Sequence, residues 1–409
     1  MIRHFEASNF RMLVGNNLDL KQFHILVGPN GSGKTTFLDA FQFMSDIISF
    51  GAQNAVKIRT NNFYELCYNE NLPIGLAIEA EFPNTEEIGR NKAVRYEIEV
   101  ARDPKFGIKI SRENLFLIPN RDEIIQPSLF GDLGKNILQD KHPKTWRKVV
   151  SKTIEGRDYF RDEKTQWNNM FKFGPDKAAL GSLPEDPERF PLSIEVRNLL
   201  KDGIRTLALD ARQMREPSNP GASTVMALDG SNLPHVVLDL QQRDPVLFEE
   251  WVQHVGTAIN GLKGVTVRER PEDRFLVLEA LFDGKHENPV PSWLLSDGTL
   301  RLMALTLLSF AATSDDADVY LVEEPENGLH PLAIETAFKS LSMPPGEMQF
   351  ICATHSPIFI SYTALEDVLV FRRAPQGYSI LRHGEEVPEL KTWSAQNNLA
   401  DLLVTGVLS

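Results

Sequence analysis

Short apolar runs separated by polar turns alternate along this chain with longer stretches of helical period. Residues 23–27, 319–322 and 348–353 are apolar almost throughout, as strands buried on both faces of a parallel sheet are. Residues 75–82, 94–101 and 108–118 alternate or run apolar in the manner of an antiparallel sheet beside it. Helices are expected after Thr35, over 232–242, 245–259 and 332–341, and over 299–312, where apolar residues are dense enough to require burial. Further strands are predicted at 206–209, 265–270, 275–282, 367–371 and 378–382. Between 120 and 203 the pattern turns polar and helical, broken by Pro143, Pro175, Pro184, Pro187 and Pro191, without sustained heptads. The expected organisation is an N-terminal lobe (1–119), an inserted helical lobe (120–203) and a C-terminal lobe (204–409).

Chemistry-bearing residues stand at the ends of the buried runs. The first is followed by Gly28-Pro29-Asn30-Gly31-Ser32-Gly33-Lys34-Thr35-Thr36, where glycines let backbone N–H groups curl around phosphates and a helix then opens with its positive end toward them. In that setting Lys34 neutralises β- and γ-phosphates, and the Thr35 hydroxyl is a Mg²⁺ ligand. The run 319–322 ends in Glu323-Glu324, two carboxylates at a strand tip, one able to hold a metal and the other to polarise water. The run 348–353 ends in Thr354-His355-Ser356-Pro357; a histidine there can serve a site or simply bond nearby backbone. Leu295-Ser296-Asp297-Gly298-Thr299 opens the apolar helix. Ser296 and Asp297 are good capping residues, and a helix N-terminus is also an anion site.

Taken in order, these motifs resemble those of the ABC-class P-loop ATPases, and among them the predicted ATPases related to the overcoming-lysogenization-defect (OLD) nucleases, RecF and SMC proteins. The resemblance extends to Asn9-Phe10-Arg11, to 229–233 and to Pro325-Glu326-Asn327-Gly328-Leu329-His330-Pro331, a D-loop-like stretch, and covers about two-thirds of the chain. It implies an α/β fold with a mixed central sheet, an antiparallel β subdomain and an inserted helical lobe, with ATP and Mg²⁺ as ligands. Glu323 becomes the metal partner, although Asp is usual there and the longer side chain can act through water. Glu324 positions the attacking water and His355 contacts the γ-phosphate. Ser296 and Gly298 would reach the nucleotide held by the opposite protomer of a homodimer. Arg11 is carried over as a residue near the nucleotide, or is an exposed arginine after a strand. Gln213 is a candidate Mg²⁺-sensing loop glutamine or an ordinary polar turn residue.

Composition narrows the setting. The chain has 409 residues, 42% hydrophobic and 24% charged, enough for a large core. No apolar stretch reaches membrane-spanning length and the N-terminus lacks a signal-peptide pattern, so a cytoplasmic protein is expected. Cys67 and Cys352 alone exclude a disulfide framework or cysteine-based zinc site. A net charge of −13 runs against a broad nucleic-acid footprint. The basic segment 141–152 is either a solvated helix face or a nucleic-acid contact. Only 54 residues follow His355, which leaves no room for the nuclease domain of OLD proteins. Three function classes follow: an ATP-gated regulator of a separately encoded nuclease or toxin in prokaryotic antiphage defence, a RecF-like DNA-maintenance ATPase, and a transporter nucleotide-binding subunit, disfavoured by "LSDGT" in place of "LSGGQ".

Overall fold

In the computed structural model the residues described are 1–82, 91–119, 137–138, 142–153, 157–284, 288–312 and 318–393. The strands of the first half are β1 (Ile2–Ser8), β2 (Asn16–Asp19), β3 (Phe23–Val27), β4 (Ile74–Glu81), β5 (Asn91–Asp103), β6 (Gly107–Pro119), β7 (Arg147–Lys152), β8 (Asp158–Arg161) and β9 (Asn168–Phe171). Those of the second half are β10 (Ile204–Leu207), β11 (Leu262–Glu269), β12 (Leu276–Phe282), β13 (Val290–Pro291), β14 (Val319–Glu323), β15 (Gln349–Ala353), β16 (Val368–Arg373) and β17 (Ser379–His383). Helices α1 (Lys34–Phe50) and α2 (Ala52–Arg59) follow β3, and α3 (Pro191–Asn198) precedes β10. Then come α4 (Ala211–Arg215), α5 (Leu233–Arg243), α6 (Pro245–Gly256), α7 (Asp297–Ala311), α8 (Pro331–Ser342), α9 (Pro357–Ser361) and α10 (Pro388–Trp393).

Among the described residues these strands make three sheets. One is antiparallel, in the order β2-β1-β4-β5-β6-β7-β8-β9. The second, β10-β14-β15-β3-β16-β17, is parallel but for β17. The third is the antiparallel β11-β12-β13. Alternation along β3 explains the layering: Leu26 faces a core shared with α1 and the antiparallel sheet, whereas Phe23, Ile25 and Val27 face a second core with α5 to α8. Helix α1 is thus buried between two sheets. Phe41 stacks on Phe5 of β1 at 4.4 Å, and Phe37 meets Phe5 at 5.1 Å and Phe371 of β16 at 5.6 Å. Buried Gln349 joins the sheets by accepting from Ile2 N (2.9 Å) and donating to Ile2 O (2.7 Å) and Lys21 O (2.8 Å).

The region 120–203 departs from expectation. Residues 120–136, 139–141 and 154–156 lie outside those described; of the rest, β7, β8 and β9 extend the antiparallel sheet, and helix is confined to α3 and the short turns flanking it. The division at 119/120 therefore falls inside one sheet. Several charged residues of this region are paired internally, although His142 and Lys144 remain exposed. Lys152 and Asp158 form a buried ion pair at 2.6 Å, and Glu163 accepts from Leu192 N (3.1 Å), Ser193 N (2.8 Å) and Ser193 Oγ (2.6 Å) at the start of α3. In the basic segment, buried Trp146 packs on Phe116, Lys148 lies over the Phe116 ring and Arg147 donates to the Glu163 carbonyl.

Candidate functional site

The glycine-rich turn leaves β3 at Val27 and enters α1 at Lys34. It lies so close to the neighbouring strands that a Cβ on Gly28 would collide with the Phe371 carbonyl, and one on Gly33, whose φ is +107°, would overlap the Ser379 hydroxyl. Ser379 braces the turn: its hydroxyl donates to Ser32 O (2.7 Å), and its N–H to Met12 O (2.8 Å). Lys34 folds back along the turn, its Nζ donating to Gly28 O (2.6 Å) and Pro29 O (3.0 Å). Burial lowers the Lys34 pKa to about 8, against the opposing pull of Glu323 and Glu324. Asn30, Gly31 and Thr35 are exposed, Thr36 is half-buried, and the buried Ser32 hydroxyl makes no hydrogen bond of its own. A turn of outward-facing residues with an ammonium pinned beneath it suits an anionic group.

Glu323 and Glu324 arise one strand over from the Thr354-His355-Ser356 turn and two from the glycine-rich turn, because β14, β15 and β3 are adjacent and parallel with their carboxyl ends together. Both carboxylates are exposed. Glu324 sits at φ +47°, a conformation that non-glycine residues adopt at a cost of roughly 1–3 kcal/mol; it is held there by its N–H on Ala353 O (2.8 Å) and by Asn327 N on its own carbonyl (2.9 Å). The exposed His355 has its pKa lowered by partial desolvation and by the Lys34 ammonium, with Glu324 and Glu326 pulling the other way. Lys34, Glu323, Glu324 and His355 thus act on one another across a single sheet edge. No cluster of three His, Cys, Asp or Glu side chains suited to a metal occurs among the described residues. One carboxylate and one hydroxyl, completed by phosphate oxygens and water, nevertheless suit Mg²⁺, which takes few protein ligands.

Ser296 caps α7, its hydroxyl accepting from Thr299 N at 3.1 Å. The preceding turn is held by Arg215 of α4, which donates to Leu295 O (3.0 Å) and the Asp297 carboxylate. On its other side a Cβ on Gly298 would lie 2.5 Å from Gly328 O, and Arg301 Nη1 donates to Asn327 O at 3.5 Å. This helix end is therefore packed between α4 and the loop after Glu324.

Residues 23–361 match the family model described as "AAA domain, putative AbiEii toxin, Type IV TA system". The chain belongs to this family. No curated protein matches it. Among solved structures, the SmcHead bound to the C-winged helix domain of ScpA is similar at 14% identity and a TM-score of 0.53, covering 94% of this chain and 98% of that one. A Thermotoga maritima SMC head domain (13% identity, 93% and 98% covered) and an Smc head bound to the C-terminal domain of ScpA derived from Pyrococcus furiosus (13%, 96% and 98%) give TM-scores of 0.44 and 0.49. The first likeness shows the fold: this AAA family member has the architecture of an SMC head domain.

Within that architecture Arg11 and Gln213 end in different places. Arg11 (φ +49°) pairs at 3.0 Å with Asp39 on α1, a residue that Arg59 also grips at 2.6 Å, so it is tied to the helix that Lys34 opens. Gln213 is exposed on α4, beyond the carboxyl end of β10 and on the element that steadies Leu295. Sequence reasoning missed Ser379. Its position in an unremarkable strand carries no motif, and its role comes entirely from pairing across the fold.

Proposed function

We propose that this member of the AAA family is a cytoplasmic ATPase that closes as a homodimer around ATP, hydrolyses it, and thereby regulates a separately encoded nuclease or toxin in prokaryotic antiphage defence. The observation that carries the catalytic part is the shared edge of β14, β15 and β3, where Lys34, Glu323, Glu324 and His355 sense one another electrostatically. In this reading the amides of Asn30 to Thr36 and the Lys34 ammonium hold the phosphates. Thr35 and Glu323 hold the metal, with Gln213 as an outer contact. Bound Mg²⁺ supplies charge neutralisation across the phosphates. Glu324 orients water, and His355 faces the terminal phosphate. Ser296 and Gly298, whose contacts are with α4 and the 325–330 loop, serve the partner protomer's nucleotide, as an isologous two-fold contact requires.

The regulatory part rests on analogy and on shape. A structurally similar Smc head is bound to a ScpA domain, which supports the idea that a head of this form can carry a partner protein. The net charge of −13 and the internal use of Arg147 and Lys152 weigh against direct nucleic-acid binding through 141–152. No helix among the described residues is long and apolar enough to cross a membrane. In this reading the chain does not itself cut nucleic acid.

The test compares Lys34→Ala with Glu324→Gln in purified protein. The first should lose ATP binding, and the second should bind ATP in Mg²⁺ yet hydrolyse it at least about a hundredfold more slowly, since it removes a group acting mainly in the transition state. Wild-type turnover by Glu324→Gln would remove the assignment.

A further inference from the structure

Glu326 has no role in the site as assigned so far. It lies between Glu324 and the Gly328 carbonyl that abuts α7. Its Oε1 accepts three hydrogen bonds from the next strand's exit: from Thr354 Oγ1 (2.6 Å), from Ser356 N (3.0 Å) and from His355 N (3.3 Å). Ser356 in turn caps α9, accepting from Phe359 N at 3.3 Å. One carboxylate oxygen is therefore the common acceptor for the turn that carries the His355 imidazole, fixing the backbone on both sides of it. Bonds to an ionised acceptor are the stronger kind. The other oxygen, Oε2, is shielded from solvent and has no hydrogen-bond partner. A brace that served folding alone would gain nothing from a second desolvated anionic oxygen.

On its far side the same loop rests on α7, through Asn327 O on Arg301 and Gly328 O on Gly298. A continuous run of contacts thus leads from the capped end of α7, through two loop carbonyls and one carboxylate, to the backbone that carries the imidazole.

We propose that Glu326 is a positioning residue: it sets the placement of His355 and makes that placement answer to whatever engages the N-terminus of α7 in the same chain. The proposal rests on the ATPase reading given above.

The experiment measures steady-state ATP turnover and amide hydrogen exchange over 354–356 for wild type, Glu326→Ala, Glu326→Gln and Thr354→Val. Glu326→Ala should lower kcat about tenfold or more while leaving KM for ATP within about twofold, and should speed exchange at His355 and Ser356. Glu326→Gln should recover most of both losses, because its amide oxygen can accept from the same three donors. Thr354→Val removes one donor and keeps the side-chain shape, so a few-fold loss of kcat is expected even if Glu326→Ala fails to fold. Wild-type kcat in Thr354→Val together with unchanged exchange, or Glu326→Gln as defective as Glu326→Ala, would overturn the proposal. Absence of hydrolysis by the wild type would instead count against the ATPase reading, and the exchange measurements would still decide whether Glu326 holds the 354–356 turn.

Discussion

The seat of the glycine-rich turn against β17 can be tested by a double-mutant cycle. Gly33→Ala introduces two separable penalties. The first is conformational: φ of +107° is a region L side chains rarely adopt, which costs roughly 1–3 kcal/mol wherever the methyl points. The second is steric, because the new methyl overlaps the Ser379 hydroxyl, whose bond to Ser32 O (2.7 Å) must then be given up at about 1 kcal/mol. Ser379 is buried, its Cβ would sit 3.2 Å from the methyl, and Met12 Sδ 3.3 Å, so neither neighbour can retreat without disturbing packing. The single substitution should therefore cost about 2–4 kcal/mol. Ser379→Ala alone should cost about 1–2 kcal/mol, and in its background Gly33→Ala sheds the overlap with the hydroxyl and keeps the conformational penalty and the milder contacts with the residue-379 Cβ and Met12 Sδ. The double variant should be more stable than additivity predicts by about 1–2 kcal/mol, read as denaturation midpoints at constant m and paired with nucleotide affinity. Additivity to within about 0.5 kcal/mol would refute the close seating of the turn on Ser379.

Three other outcomes are expected. Because the Lys34 pKa is lowered to about 8 and a bound phosphate favours the ammonium, ATP affinity should fall about fivefold between pH 8 and 9; the nucleotide-free fold should instead gain stability as pH rises from 8 toward 10.5, the window in which the unfolded chain keeps a proton the folded one has lost. Titration calorimetry and thermal melts read the two opposite slopes, and parallel slopes would contradict the assignment. Arg95 is shared by Glu6 (2.6 Å), Glu79 (3.0 Å) and Glu97 (2.7 Å), so Arg95→Leu should destabilise by about 3–5 kcal/mol in denaturant melts. Arg95, with His4, also holds the Glu6 pKa down to about 2, so in the wild type up to about 3 kcal/mol should be lost as pH falls from 4.5 toward 2, a loss that Arg95→Leu should blunt. Mixing Lys34→Ala with Ser296→Arg protomers should restore turnover above either parent by placing both lesions in one of two composite sites; verified heterodimers with no gain would argue against sharing.

The site was legible where its chemistry is local. The glycine-rich turn, the Glu323-Glu324 tip and the His355 turn each follow an apolar run whose burial the sequence pattern implies, and the strands β3, β14 and β15 lie where those runs predict. What escaped reading depends on distant partners. Ser379 matters because β17 passes the turn 347 positions earlier in sequence, a pairing that no local pattern encodes. β7, β8 and β9 are strands of four to six residues, too short for a clear alternation, and Lys152 and Asp158 neutralise one another between two of them, so their polarity imitated a helix. Glu326 stood within a recognised motif, but its three donors come from the neighbouring strand, so the motif gave its place and not its work.

The central position of β3 has a consequence for synthesis. This strand is complete at Val27, yet its neighbours β15 and β16 begin at Gln349 and Val368. At translation rates of roughly 5–20 residues per second, the nascent strand waits on the order of 15–70 s for the first hydrogen-bonded neighbour to leave the ribosome. For most of that interval Lys34 has no carboxylate edge to face and Phe23, Ile25 and Val27 have no α7 or α8 to cover them, since these begin only at Asp297 and Pro331. Fragments released early would carry the glycine-rich turn in an unformed setting and present sticky apolar strands to chaperones and proteases. The sheet edge that brings Lys34, Glu323, Glu324 and His355 together is thus assembled only with the last quarter of the polypeptide.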